Sequence, residues 1–320
     1  MKEILCEFRR GGRVESLHRV RVAVLVDGRT ALACGEVAAP VFLRSCAKPF
    51  QAWAVVEAGA ADAYGLEASE LAVMAGSHGG EASHVRAVRS ILRKAGVPAR
   101  ALRCGSHPPL SSRGLRELYG AGREPTPLHN NCSGKHAGML AAARRLGAPL
   151  EGYLDPGHPV QRANLRAVAR FTGVVARAIR IGIDGCSAPT FAVPLRALAR
   201  AGAEFAGAAD PSARRVREAM TAHPDRVGRP CASIMSSAPG RILAKGGAEG
   251  VYLCAVPARR AGIALKVVDG NARPVVHVLA ALFRKFGLLE GEDLARVGKA
   301  ADPVLRNHAG LAVGEVRVRL

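Results

Sequence analysis

Lysine is scarce in this 320-residue chain: only eight of its 46 Lys and Arg residues are lysines. Three of the eight lie inside dense polar or glycine-rich clusters. The clusters are Arg44-Ser45-Cys46-Ala47-Lys48-Pro49, Asn130-Asn131-Cys132-Ser133-Gly134-Lys135-His136 and Ala244-Lys245-Gly246-Gly247. Arginine keeps its proton in proteins, whereas a desolvated lysine can approach neutrality and act as a base. The pattern points to serine hydrolase chemistry run by lysine in place of histidine.

Ser45-x-x-Lys48 puts a hydroxyl and an amine three residues apart, so both can face the same way at the start of a helix. A neutral Lys48 could take the proton of Ser45 as that oxygen attacks a carbonyl. Alone, Ser-x-x-Lys recurs by chance, and an N-capping serine beside a solvated lysine would explain it equally well. Gly76-Ser77-His78-Gly79-Gly80-Glu81 holds a second serine in a glycine-rich turn that a substrate can approach closely. Lys245-Gly246-Gly247 reads as the opening of a strand. Lys-x-Gly on a strand beside a Ser-x-x-Lys helix is the arrangement of penicillin-binding proteins and class A β-lactamases. The run Asn130 to His136 gathers amides, a thiol, a hydroxyl, an amine and an imidazole within seven residues, more than folding alone requires. Asp184-Gly185-Cys186 follows a predicted strand, where sites in sheet proteins often lie.

The elements around these clusters follow from periodicity and turn residues. Val20 to Val26, Asp27-Gly28 and Ala31 to Val37 read as a β-hairpin. Phe50 to Ala60 has helical spacing, with Pro49 suited to its first turn. Leu71 to Ala75 reads as a short buried strand, Glu81 to Lys94 as a helix, and His129 to Lys135 as a polar loop. Ala137 to Leu146 is expected to be a helix of small residues that could pack closely. Ile179 to Ile183 is expected to be a strand, and Pro194 to Ala201 and Ala213 to Ala222 helices. Arg241 to Ala244, Gly250 to Val256 and Gly262 to Val268 read as successive strands. Val275 to Phe286 reads as a helix and Val313 to Leu320 as a closing strand. Strands at both ends with helices between predict an α+β fold whose sheet is closed by both termini. A single catalytic domain over 1–320 is expected.

The formal charge of +20 invites a nucleic-acid reading. Yet the basic residues are spread along the chain, and only 4% of residues are aromatic, which leaves few stacking platforms. Arginine enrichment of solvated helix faces explains the charge and favours capture of anionic small molecules. No apolar run reaches membrane-spanning length, and the N-terminal segment lacks a signal-peptide hydrophobic region, so a cytoplasmic protein with no membrane partner is expected. Eight scattered cysteines without a C-x-x-C pair predict free thiols, mostly small buried hydrophobes.

Arg-Ser-x-Ala-Lys-Pro, Ser-His-x-x-Glu, Asn-Cys-Ser-Gly-Lys-His-x-Gly-Met and Asp-Gly-Cys, in this order, resemble the asparaginase II family of the Rhizobium etli type. The Asn-Cys-Ser-Gly-Lys-His run is the most specific of them, and the resemblance extends from Gly11 to the C-terminus. It implies a fold like the serine β-lactamases and glutaminases, and hydrolysis of L-asparagine to L-aspartate and ammonia. It also implies two Ser–Lys pairs, Ser45 with Lys48 and Ser77 with Lys245. Ser45 is expected to be the nucleophile, Lys48 its base, and Ser77 and Lys245 a proton relay to the leaving ammonia. A zinc site of Cys132, Lys135 and Cys186 is implied, positioning the pocket without being required for the chemical step. No organic cofactor is expected, and a homodimer is. Beside the motifs, Arg44 is expected to bind the substrate α-carboxylate, Asp184 its ammonium, and Asn131 and His136 the side-chain amide. A glutaminase or another acyl-enzyme of this fold is the alternative reading, with nucleic-acid binding a remote one.

Overall fold

The computed structural model describes residues 2–320. The strands in chain order are β1 Ile4–Arg10, β2 Arg13–Val26, β3 Arg29–Cys34, β4 Pro40–Phe42, β5 Arg180–Ile183, β6 Pro189–Pro194, β7 Leu243–Gly246, β8 Val251–Val256, β9 Ala261–Val267, β10 Val304–Arg306 and β11 Ala312–Arg319. The first helices are α1 Lys48–Glu57, α2 Ala60–Ala63, α3 Ala68–Ala75, α4 Ala82–Lys94, α5 Ser112–Tyr119, α6 Ser133–Arg145 and α7 Pro159–Thr172. They are followed by α8 Leu195–Gly207, α9 Pro211–Ala222, α10 Pro224–Val227, α11 Cys231–Ser237, α12 Val275–Lys285 and α13 Gly291–Ala300.

An antiparallel sheet runs in the order β10-β11-β1-β2-β9-β8-β7, with β3 also paired to β2. Leu5 pairs with Arg319, so both ends of the chain do meet in one sheet, in the α+β class that the strand pattern predicted. The β2–β3 hairpin turns at Asp27 and Gly28, both at positive φ as a two-residue primed turn requires. A smaller antiparallel sheet, β4-β6-β5, leads Asp184 toward the Ser45 turn. Helix α8 covers β2, β8 and β9, and α1 is enclosed by α3, α6, α7 and α9. Phe50 and Trp53 of α1 pack on Phe171 of α7, with centroids 5.4 and 5.3 Å apart. All eight cysteines are free and buried, as expected. Among the described residues no helix is long and apolar enough to cross a membrane.

Three local readings change. Leu71 to Ala75 lies in a helix, α3, because Glu67 and Glu70 form a capping box that fixes a helical start upstream of the apolar run. Ser133 to Lys135 opens α6 instead of ending a loop. Lys245 and Gly246 close β7 instead of opening a strand.

Helix α6 is buried from Ser133 through Ala143 and packs against α3. The approach depends on Gly134, where an added Cβ would lie 2.3 Å from the Val73 carbonyl oxygen. Gly134→Ala is therefore expected to force α6 away from α3, lowering stability by about 2–3 kcal/mol through overpacking. Thermal denaturation checks this; an unchanged Tm would mean that the two backbones can separate freely.

Candidate active site

Strand β4 delivers the chain to Leu43, whose amide donates to Phe191 O at 2.8 Å. Arg44 then adopts a left-handed conformation, φ 48°, and opens a single 3₁₀ turn, Arg44–Ala47, that runs into α1. Ser45 sits on this turn. Lys48 is the first residue of α1 and is 1% exposed. Its Nζ meets Gly76 O at 2.6 Å, Ser77 Oγ at 2.9 Å and Asn131 O at 3.3 Å. A neutral amine has two N–H donors and one lone pair. The two carbonyls take the donors and leave the lone pair for a serine hydroxyl. Burial brings the Lys48 amine down to about 8; the Cys132 charge opposes that shift, while the Lys245 and Lys135 charges add to it.

Lys245, also buried, donates to the same Ser77 Oγ at 3.0 Å and to Gly246 O at 2.6 Å. Ser77 lies just past the end of α3, where its amide donates to Val227 O at 2.8 Å. Gly228 makes this clamp possible: its φ is +90°, and a Cβ there would stand 2.0 Å from Ser77 O. The sequence pairing is thus rearranged. Both lysines converge on Ser77, and no hydrogen bond joins Lys48 to Ser45 among the described residues.

Ser45 faces a cavity of about 230 Å³, whose wall also includes Arg44, Asn131, Cys132, Asp184 and Cys186. Arg44 Nε donates to Asp184 Oδ1 at 2.7 Å, so the two groups expected to bind opposite ends of an amino acid face each other. Burial works against the Asp184 carboxylate, but the Lys135 and Arg44 charges hold it below the ordinary range. Asn130 and Asn131 both line the cavity, and the side chain of Asn130 also braces the turn around it. The Asn130 amide accepts from Cys132 N–H at 2.8 Å and donates to Cys104 O at 2.8 Å. His136 does not line the cavity. It is fully buried, and its Nδ1 is hydrogen-bonded to Tyr153 Oη at 2.7 Å while its Nε2 has no partner among the described residues.

Cys132, Lys135 and Cys186 come together at the first turn of α6. Lys135 Nζ donates to Cys186 Sγ at 3.0 Å. A hydrogen bond from Cys186 drives the Cys132 thiol well below its ordinary value against the cost of burial, and Lys48 and Lys135 reinforce it. The positive end of α6 acts in the same direction. The same hydrogen bond raises Cys186. Burial works against the Lys135 ammonium, but the Cys132 and Cys186 charges outweigh it and raise its pKa. Two sulfurs and the Lys135 nitrogen converge, a donor set that would suit a thiophilic cation once Lys135 gives up its proton to it. Among the described residues no group of three or more His, Cys, Asp and Glu could hold a metal, so a metal here would need Lys135 as a ligand.

One wall residue escaped the sequence reading. His107 Nε2 accepts from Asn131 N–H at 3.1 Å and its Nδ1 donates to Pro108 O at 2.7 Å. It thereby anchors the backbone of Asn131, the residue whose own carbonyl meets Lys48. Its setting, Gly105-Ser106-His107-Pro108-Pro109, reads only as a turn, and no local signal ties it to Asn131.

The family model for L-asparaginase II matches residues 6–318. The curated proteins provide no match. Solved structures similar to the chain include Mglu in its native form, at 19% identity and a TM-score of 0.48, covering 85% of this chain and 66% of that one. They also include a putative β-lactamase from Bacteroides dorei, at 10% identity and a TM-score of 0.39, covering 78% of this chain and 84% of that one. A β-lactamase from Mycobacterium bovis is similar at 14% identity and a TM-score of 0.31, covering 79% and 88%. The chain thus spans just under two thirds of the Mglu chain that it matches.

Proposed function

We propose that this chain, which belongs to the L-asparaginase II family, is an amidohydrolase that converts L-asparagine to L-aspartate and ammonia by Ser–Lys acyl transfer. The observation that carries this reading is the meeting of two buried lysine amines on Ser77 Oγ, next to the cavity that Ser45 faces. Ser45 attacks the side-chain amide carbon and its proton passes to neutral Lys48. The C–N bond breaks as Lys245, through Ser77, gives a proton to the departing nitrogen, and ammonia leaves. Lys48 hands on the proton it took, through Ser77, to Lys245. Water then attacks the aspartyl ester, Lys48 taking the water proton and returning it to the Ser45 oxygen as the ester C–O bond breaks. Arg44 takes the α-carboxylate and Asp184 the α-ammonium, each exchanging the other for the substrate charge of opposite sign. Asn131 holds the amide, since His136 lies behind the wall.

Ammonia release from asparagine and glutamine tests the proposal, with faster release from asparagine expected. Ammonia release from neither amide would overturn it. A second reading, with Ser77 as the acylated residue, draws on the same two lysines. Ser77→Ala separates the two: as a relay, its loss is expected to lower kcat on the order of 10²-fold with KM nearly unchanged. A complete loss of covalent intermediate in that variant would favour Ser77 as nucleophile.

Cys132, Lys135 and Cys186 would hold a zinc ion that supplies fixed positive charge to the pocket wall. No proton transfer described above needs it. Metal removal by a chelator is therefore expected to raise KM while leaving kcat within about tenfold of the untreated enzyme. The paired measurement is metal content against ammonia release, and a collapse of kcat in step with metal loss would contradict a positioning role.

A further inference from the structure

A second cavity, of about 620 Å³, lies at the far end of the sheet from Ser45. Strand β8 measures the separation. It begins at Val251, next to the Lys245 strand end, and finishes at Val256, which leads into Pro257 on the wall of this cavity. Six strand residues span roughly 20 Å. Arg170, Arg200 and Arg260 line the cavity with one acid, Glu204, and Arg170 is also paired with Asp210, so three guanidiniums and two carboxylates leave a local charge of +1. The remaining wall includes Leu25, Phe171 and Pro257.

The three guanidiniums are solvent-exposed, but they share one concavity. Arg170 is held in place, by Asp210 Oδ2 at 2.7 Å and by the Trp53 ring, whose centroid lies 4.9 Å from its guanidinium carbon. Arg200 reaches Glu204 only at 4.0 Å, and that carboxylate is 58% exposed. Arg260 sits at φ 41°, a left-handed conformation unfavourable for a side-chain-bearing residue. Its guanidinium has no partner among the described residues, only its backbone N–H being bonded, to Pro257 O. One preorganised guanidinium and two under-used ones therefore converge on one concavity with an apolar side.

We propose that this cavity binds a small anion carrying adjacent phosphate groups on an apolar body, of the nucleoside di- or triphosphate class. Guanidinium forks match phosphate oxygens in pairs, and adjacent phosphates present oxygens to several forks at once. The volume exceeds what an isolated phosphate needs, and the Leu25–Pro257 wall offers contact to the organic part. The site does not depend on the amide chemistry proposed for Ser45.

The test is calorimetric titration of the full chain with ATP, inorganic pyrophosphate and adenosine, with pyrophosphate also followed through the single tryptophan, Trp53. ATP and pyrophosphate are expected to bind saturably, and adenosine far more weakly. Arg260→Gly suits the left-handed backbone and removes the guanidinium, and Arg200→Ala removes a second. Each is expected to weaken binding by about tenfold or more, the loss of a charge-assisted bond. Arg89→Ala, in a separate groove on α4, is the control for general attraction to a basic surface and is expected to have no effect. Absence of saturable binding would overturn the proposal. So would binding that survives both cavity variants, or that Arg89→Ala weakens equally.

Discussion

Lys48→Met is expected to lower kcat for asparagine on the order of 10³-fold, roughly 4 kcal/mol of transition-state stabilisation. Methionine fills a similar buried volume without an amine, so the fold should be retained while the base is removed. The wild-type pH profile provides an independent signature. Below its pKa of about 8 Lys48 is protonated and cannot accept the Ser45 proton, so kcat/KM should rise with pH through that value. The variant should lack this limb. Full activity in Lys48→Met, or an unchanged pH profile, would remove Lys48 from the reaction. The amine also meets Gly76 O and Asn131 O, so Tm is measured alongside: a large kinetic loss with an unaltered Tm assigns the effect to the missing base.

Ser45→Ala has the larger expected effect, on the order of 10⁴-fold or more in kcat, because no acyl ester can form. The substitution deletes one exposed-side oxygen with no hydrogen-bond partner among the described residues, so stability should be unchanged. Asparagine should still bind, since Arg44 and Asp184 are untouched; calorimetric titration of the variant measures this directly. Substantial turnover by Ser45→Ala would shift the nucleophile to Ser77, the serine that both lysines touch.

Much of this site can be read from residue types. Lys48, Lys135 and Lys245 stand out because arginine occupies nearly every other basic position, and all three are buried near one another's chemistry. The closure of the sheet by both termini is equally legible, from alternating apolar strands at each end. The pairing of groups is not. Ser77 meets Lys48 across 29 positions and Lys245 across 168, contacts that spacing along the chain cannot reveal. The Arg44–Asp184 bond spans 140 positions and could be suspected only because each residue borders a motif. Short apolar runs mislead for a different reason: Leu71 to Ala75 fits a strand or a helix, and only the Glu67–Glu70 capping box decides. His136 belongs to the most distinctive motif yet turns inward to Tyr153, because on a helix the residue after Lys135 points about 100° away from it.

Rapid quenching of the enzyme during asparagine turnover, followed by mass spectrometry of its peptides, addresses the Ser–Lys mechanism most directly. The expected result is an aspartyl ester on the peptide that contains Ser45, absent from Ser45→Ala and formed more slowly in Lys48→Met. An ester on the Ser77 peptide, or turnover with no covalent intermediate on either serine, would contradict it.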